Sequence, residues 1–101
     1  MELKLESGKK IVDPTEDDIR QNLQTEGFAV LACDSERYIQ YAVRKRLGGY
    51  WFEYQDGSIE QHYRAKDKGL TIQQVIEALC KYLRKDDSWR KDFQWEKMSF
   101  S

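Results

Sequence analysis

The sequence predicts an α+β fold, with a four- to five-stranded antiparallel meander and helices packed on one face. Between residues 28 and 65, short segments rich in aromatic and β-branched residues are separated by turn residues, which is typical of hairpin-connected strands. After Thr71, apolar residues recur at spacings of three and four, which indicates an amphipathic helix. A chain of 101 residues is long enough for one core, so we expect a single domain, 1–101.

Composition narrows the function classes. Lysine and arginine total 17 against 18 acidic residues, for a net charge of -1, which argues against a surface that binds nucleic acid or anionic lipid as a whole. No segment approaches membrane-spanning length and none resembles a signal peptide, so we expect a cytoplasmic protein with no membrane association. Cys33 and Cys80 lack metal-ligand spacing and indicate buried, reduced thiols.

The N-terminal part predicts two short extended segments and a helix. Residues Glu2–Glu6 alternate in polarity, as an amphipathic strand does, and Lys9–Val12 forms a second extended piece. Asp13-Pro14, with Glu16 at the third helical position, predicts a capped helix start. Gly27 is placed to terminate that helix.

The middle of the chain predicts hairpins. The expected strands are Phe28–Cys33, Arg37–Leu47, Tyr50–Gln55 and Ser58–Ala65. Gly48-Gly49 and Asp56-Gly57 predict two-residue loops. Such loops need positive φ at both positions, and glycine and aspartate adopt it more readily than most residues. An even-length turn at Ser35-Glu36 joins the first pair.

Helices are expected again near the C-terminus. Thr71 and Gln74 form a capping box before the second helix, and Trp89 and Phe93 stand four apart on a short further helix. The C-terminal aromatic residues are expected to close the core or cover a sheet edge.

These turns assign the strand residues to two faces. The core face should carry Phe28, Val30, Ala32, Ile39, Tyr41, Val43, Leu47, Tyr50, Phe52, Tyr54, Ile59, Gln61 and Tyr63. The open face should carry Leu31, Cys33, Tyr38, Gln40, Arg44, Arg46, Trp51, Glu53, Glu60, His62 and Arg64. The same register predicts two cross-strand rows on the open face: one of Arg44, Glu53 and Glu60, the other of Arg46, Trp51 and His62.

The open face is the candidate functional surface. Its charged side chains could form only solvated ion pairs, but a tryptophan and a tyrosine among ionic groups are typical of interfaces. We therefore predict a partner-binding site, for a protein partner or a second copy of the chain, made of Tyr38, Arg44, Arg46, Trp51, Glu53, Glu60 and His62.

Catalysis and metal binding find no support in the sequence. His62 is the only histidine, and a pair of carboxylates at Glu53 and Glu60 would lie on an open sheet rather than in a cleft. No His, Cys and Asp cluster has metal-ligand spacing, and the glycines belong to turns rather than to a phosphate-binding loop. We predict a protein that is not an enzyme and needs no cofactor.

An alternative function is single-stranded nucleic-acid binding. Arg44, Lys45 and Arg46 could contact phosphates while Tyr38 and Trp51 stack on bases. Glu53 and Glu60, expected in the middle of the same surface, argue against it.

One resemblance adds to the first prediction. The segment Glu53–Ser58, the run His62–Ala65, the pair Tyr82-Leu83, and Asp87–Trp89 followed by Trp95 resemble small bacterial proteins similar to immunity proteins of toxin systems. Such proteins pair a meander with a long helix and a tryptophan near the end. The resemblance implies that the chain neutralises a toxin by binding its surface.

Overall fold

The computed structural model describes residues 1–100 and shows an α+β architecture with an antiparallel sheet. Within these residues seven strands form one sheet in the order β2-β1-β3-β4-β5-β6-β7. The strands are β1 (Glu2–Leu5), β2 (Lys10–Val12), β3 (Phe28–Ala32), β4 (Arg37–Val43), β5 (Tyr50–Asp56), β6 (His62–Ala65) and β7 (Trp95–Lys97). The predicted fold class is confirmed, but the sheet is larger than four to five strands.

The extra strands come from both ends of the chain. Strands β1 and β2 form a hairpin that joins the meander through β1 and β3, where Leu3 lies opposite Leu31. At the other side, β7 pairs with β6, with Trp95 opposite Ala65. Strands β1 and β2 match the two extended segments predicted at the N-terminus. Strand β7, of three residues, carries little signal in the sequence, because its pairing depends on a neighbour that is already in place.

Helix α1 (Glu16–Asn22) begins later than the sequence predicts. Thr15, not Asp13, is the N-cap: the Thr15 hydroxyl accepts from the Asp18 backbone N–H, and the Asp18 carboxylate accepts from the Thr15 N–H at 2.8 Å. Asp13 instead adopts a φ of 49° and binds the N-terminal ammonium at 3.2 Å. The helix also ends early, at Asn22.

Helix α2 (Ile72–Leu83) follows its prediction. Thr71 and Gln74 form the reciprocal capping box, and the buried residues Val75, Ile76, Ala78, Leu79 and Cys80 lie on one side of the helix. Both helices pack on the same face of the sheet, where Ile19 of α1 and Leu23, the residue that caps its C-terminus, join the core. A 3₁₀ segment, Asp87–Asp92, then brings Trp89 into that core at 1% exposure.

Neither glycine-bearing reversal is a two-residue loop. Val43 pairs with Tyr50, so the first loop spans residues 44–49, and the Gly48 N–H donates to the Arg44 carbonyl in a helical turn. In the second reversal, after Asp56, a 3₁₀ helix (Ile59–Gln61) separates β5 from β6. The Gly57 N–H donates to the backbone carbonyl of Glu36, in the loop between β3 and β4.

These longer loops preserve the predicted faces of β4, β5 and β6. Tyr54 pairs with Tyr63 rather than with Ile59, and Val43 pairs with Tyr50 rather than with Tyr54. Each shift is an even number of residues, so alternation is unchanged. Phe52 is therefore buried, while Trp51 is 39% exposed on the opposite face.

Strand β3 has the opposite orientation to the one predicted. The Cys33 N–H donates to the Arg37 carbonyl, which closes an odd loop of three residues, Asp34 to Glu36. The Asp34 carboxylate accepts the N–H groups of Glu36 and Arg37, both at 2.8 Å, and these bonds hold its pKa below the ordinary value. Leu31 consequently faces the core, and Phe28, Val30 and Ala32 face the other way.

The two cysteines differ in accessibility, although the sequence predicts both to be buried. Cys33 is exposed, with its thiol 3.6 Å from the Tyr82 hydroxyl, whereas Cys80 is buried and unpaired. Burial raises the pKa of Cys80 to about 11.

We expect the Cys33 thiol to react rapidly with a disulfide reagent at pH 8, and the Cys80 thiol to react only after unfolding. Thiol titration with and without denaturant measures both reactions. Rapid reaction of both thiols in the native protein would contradict this assignment, and Cys33→Ser should abolish the fast phase.

No helix among residues 1–100 is both long enough and apolar enough to cross a bilayer.

Candidate functional site

The face of the sheet opposite the helices is built from alternate residues of every strand. In the middle of this open face the side chains are Phe28, Val30, Ala32, Tyr38, Gln40, Ala42, Trp51, Glu53, Gln55, His62 and Arg64. The orientation of β3 makes the face more apolar than the sequence predicts, because Phe28 and Val30 replace Leu31 and Cys33. It is also the face that no helix covers.

Trp51 is the largest exposed side chain of the open face, and two guanidinium groups contact it. The Arg44 Cζ lies 4.4 Å and the Arg64 Cζ 4.8 Å from the centre of the indole ring. Arg44 comes from the loop after β4 and Arg64 from β6, so the contacts connect three successive elements of the sheet. Cation–π contacts of this kind contribute about 0.5–1 kcal/mol each at exposed sites and restrict the ring.

The loop beside Trp51 carries cations without carboxylate partners. Within residues 1–100, no carboxylate lies within salt-bridge distance of Arg44, Lys45 or Arg46. The Arg44 Nε is buried and has no hydrogen-bond partner among the described residues. Its position therefore depends on the indole of Trp51 rather than on an acceptor within this part of the chain.

Gly49 determines the path of this loop. It adopts a φ of +73°, and a Cβ there would lie 3.2 Å from the backbone of Gly69 and Leu70. Only glycine combines that conformation with so close an approach. The loop with Arg44, Lys45 and Arg46 is thereby held next to Trp51.

His62 lies beneath the surface and not on it. It is 3% exposed, with Nε2 2.7 Å from a Glu53 carboxylate oxygen and Nδ1 3.0 Å from Gln55 Oε1. Both ring nitrogens therefore lie at hydrogen-bond distance from side-chain oxygens. The ring edge of Phe100 packs on the imidazole, with centroids 5.1 Å apart.

Gln55 connects this pair to Tyr38 and to the neighbouring loop. The Tyr38 hydroxyl donates to Gln55 Oε1 at 3.1 Å, and Gln55 Nε2 donates to the Glu36 carboxylate at 2.9 Å. Burial and the nearby Glu53 raise the pKa of Tyr38, which favours the protonated hydroxyl that this bond requires. Tyr38, Gln55, Glu53 and His62 thus form one connected polar network, which we call the His62 network.

Two predicted rows of the open face do not form. Glu53 lies opposite Gln40 and Arg64, not between Arg44 and Glu60, and Trp51 lies opposite Ala42 rather than beside His62. Glu60 is exposed on the 3₁₀ helix Ile59–Gln61 and does not belong to the sheet. The rows depended on two-residue loops, which the structure replaces with longer ones.

The sequence prediction omits two residues that the structure brings into this region. Gln55 is buried at the centre of the His62 network, and Arg64 contacts Trp51. Alternation along β5 already places Gln55 on the face of Glu53 and Trp51, so the signal for it was present in the strand pattern. The Arg64 contact needed the true pairing of β5 with β6.

The described residues offer no evident metal centre, since residues 1–100 contain no group of three or more His, Cys, Asp or Glu side chains suited to hold an ion. In comparisons with known proteins, no family model matches the chain, and neither a curated protein nor a solved structure does.

Proposed function

We propose that the chain is a non-catalytic protein-binding module and that the open face around Trp51 is its contact surface. One observation carries the proposal: a tryptophan 39% exposed on the uncovered face of the sheet, in contact with two arginines. Tryptophan and arginine are the residues most enriched among those that dominate binding energy at protein interfaces. An exposed apolar surface rimmed by polar and charged residues is typical of a protein interaction site.

The surface is also prepared for binding. The guanidinium groups restrict the indole, and Phe28 and Ala42 lie beside it, so little conformational entropy is lost when a partner docks. Glu53, Tyr38 and His62 support the surface through the His62 network. Arg46 and Trp51 are exposed, and Arg44 lies over the Trp51 ring. Glu60 lies off the sheet and is not part of the proposed contact.

The biological role we propose is of the immunity type, in which a cytoplasmic protein neutralises a toxin by covering its surface. This proposal rests on the resemblance of residues 53–65 and of the tryptophan-bearing C-terminal part to such proteins. A second copy of the chain is the other protein partner that the surface would fit.

Single-stranded nucleic-acid binding is the second candidate, and one observation favours it. Glu60 lies away from the face and Glu53 is paired with His62, so the two carboxylates that opposed phosphate binding no longer do so. The Trp51 ring argues the other way. The Arg44 and Arg64 guanidinium groups already lie over the Trp51 ring, so a base that stacked there would have to displace them.

The double variant Trp51→Ala/Arg46→Ala tests the proposal. We expect it to abolish association while the free energy of unfolding falls by no more than about 2 kcal/mol, because both side chains are exposed and the loss is that of the two cation–π contacts of Trp51. Self-association is measured by sedimentation velocity. Partner binding is measured by affinity pull-down from a lysate of the source cells, comparing the proteins that bind to the wild-type and variant chains.

Ile59→Ala/Lys91→Ala is the matched control, since it also removes one exposed apolar side chain and one exposed cation. Association that survives Trp51→Ala/Arg46→Ala at unchanged strength, or that the control abolishes equally, would show that this surface assignment is wrong.

A further inference from the structure

Trp51 separates two shallow notches of different chemistry. On one side, a cavity of about 50 Å³ is lined by Phe28, Tyr41, Ala42 and Trp51 together with the polar residues Gln40 and Glu53. On the other side, a cavity of about 120 Å³ is lined by Arg44, Lys45, Arg46, Leu47 and Trp51. One notch is mainly apolar and small, and the other is basic.

The basic notch has unused charge. None of its three cations is within salt-bridge distance of a carboxylate in residues 1–100, although the chain as a whole carries 18 acidic residues against 17 basic ones. Elsewhere the arginines do find partners: Arg20 binds Glu77 at 2.6 Å and Arg84 binds Glu16 at 2.7 Å. The cations beside Trp51 are therefore a local positive patch in a near-neutral protein, which complements an acidic partner.

The apolar notch adds a second requirement. Its volume suits the end of one aliphatic side chain, and Trp51 would contact that side chain as well as the acidic residue next to it. Leu47, which is 74% exposed at the edge of the basic notch, extends the apolar contact on that side. A polyanion of uniform chemistry, such as a nucleic-acid strand, would leave the apolar notch unfilled.

We propose that the two notches bind an acidic segment of a partner protein in which one aliphatic side chain is flanked by carboxylates. The aliphatic side chain enters the notch beside Phe28, and the carboxylates bind the cations of the loop after β4. This inference rests on the proposed function and specifies the chemistry of the partner.

Short fluorescein-labelled peptides of aspartate and glutamate with one central leucine test the inference by fluorescence anisotropy. One comparison peptide replaces the leucine with serine and a second replaces all carboxylates with amides. An oligo-dT strand is the third comparison. We expect the acidic leucine peptide to bind, and we expect each comparison peptide to bind with a Kd at least about tenfold higher. Binding should also be weaker at about 0.15 M salt than at low salt, because salt screens the exposed pairs between peptide carboxylates and loop cations.

Two variants and a control locate the site on the chain. Trp51→Ala and Lys45→Ala/Arg46→Ala should each raise the Kd of the acidic leucine peptide at least about tenfold. The second variant leaves the indole and Arg44 in place, so it distinguishes loss of binding from loss of structure. Lys85→Ala/Lys91→Ala removes the same charge from two exposed lysines elsewhere and should leave the Kd unchanged.

The remaining outcomes overturn the inference in distinguishable ways. Equal binding of the leucine and serine peptides would show that charge alone attracts the peptide and that the apolar notch does not contribute to binding. Failure of every peptide, while a protein still associates through Trp51, would refute the acidic segment but not the protein-binding function. Tighter binding of oligo-dT, lost in the same variants, would refute both.

Discussion

Replacing Trp89 with alanine should lower the free energy of unfolding by about 3–5 kcal/mol. Trp89 is 1% exposed, and its ring packs against Tyr54 at 4.9 Å, Trp95 at 5.7 Å and Tyr82 at 5.8 Å between centroids. Alanine would leave a cavity where the C-terminal segment, β5 and α2 meet. Urea denaturation followed by circular dichroism measures the loss.

Trp51→Ala is the matched control, because it removes the same side chain from the open face. We expect it to cost about 1–2 kcal/mol, from the loss of the two cation–π contacts with Arg44 and Arg64, and Trp89→Phe, which keeps a ring in the core, to cost about 1–2 kcal/mol. The indole N–H of Trp89 is buried without a partner among residues 1–100, so losing that group carries no penalty of its own. Equal losses for Trp51→Ala and Trp89→Ala would show that the two faces of the sheet are assigned wrongly.

Replacing His62 with alanine should lower the free energy of unfolding by about 2–4 kcal/mol. The His62 side chain is 4% exposed and that of Glu53 20%, so the variant leaves a largely desolvated carboxylate without its partner. Gln55 loses one donor but keeps that of Tyr38. Chemical denaturation at neutral pH measures this effect too.

A double-mutant cycle separates the hydrogen bond between His62 and Glu53 from simple loss of packing. Glu53→Ala in the His62→Ala background should cost less than in the wild-type protein, because the unpaired carboxylate is then absent. Additive costs would mean that the pair contributes nothing beyond packing. A His62→Ala variant of wild-type stability that fails to bind a partner would instead make His62 a surface contact, as its position in the sequence alone suggests.

Much of the fold could be predicted from local pattern. The helix from Ile72 was evident because its capping box and its apolar spacing depend only on residues three and four apart. The faces of β5 were also evident: Phe52 and Tyr54 are buried and Trp51 is exposed, as alternation requires. These features survive errors in loop length, provided that the error is an even number of residues.

Loop length itself could not be predicted from turn residues. A glycine pair permits a two-residue turn, but a helical turn ending in a glycine of positive φ uses the same residues, as at residues 44–49. At Asp34 the side chain closes a loop of odd length, and this reversed the faces of β3. The partner surface changed with it: Phe28 and Val30 joined the open face, Leu31 and Cys33 left it, and Glu60 moved to a 3₁₀ helix.

The sequence by itself determined the helix after Thr71, the antiparallel strands of the middle region and the exposure of Trp51. These depend on periodicity and capping, which act over a few neighbouring residues. The tertiary structure decided which strands lie side by side at the edges, that His62 is buried against Glu53, and that Arg44 and Arg64 meet at the Trp51 ring. Those contacts join residues distant in the chain, and their register is set by loop hydrogen bonds and by the packing of Leu3, Leu5 and Leu31 against the helices.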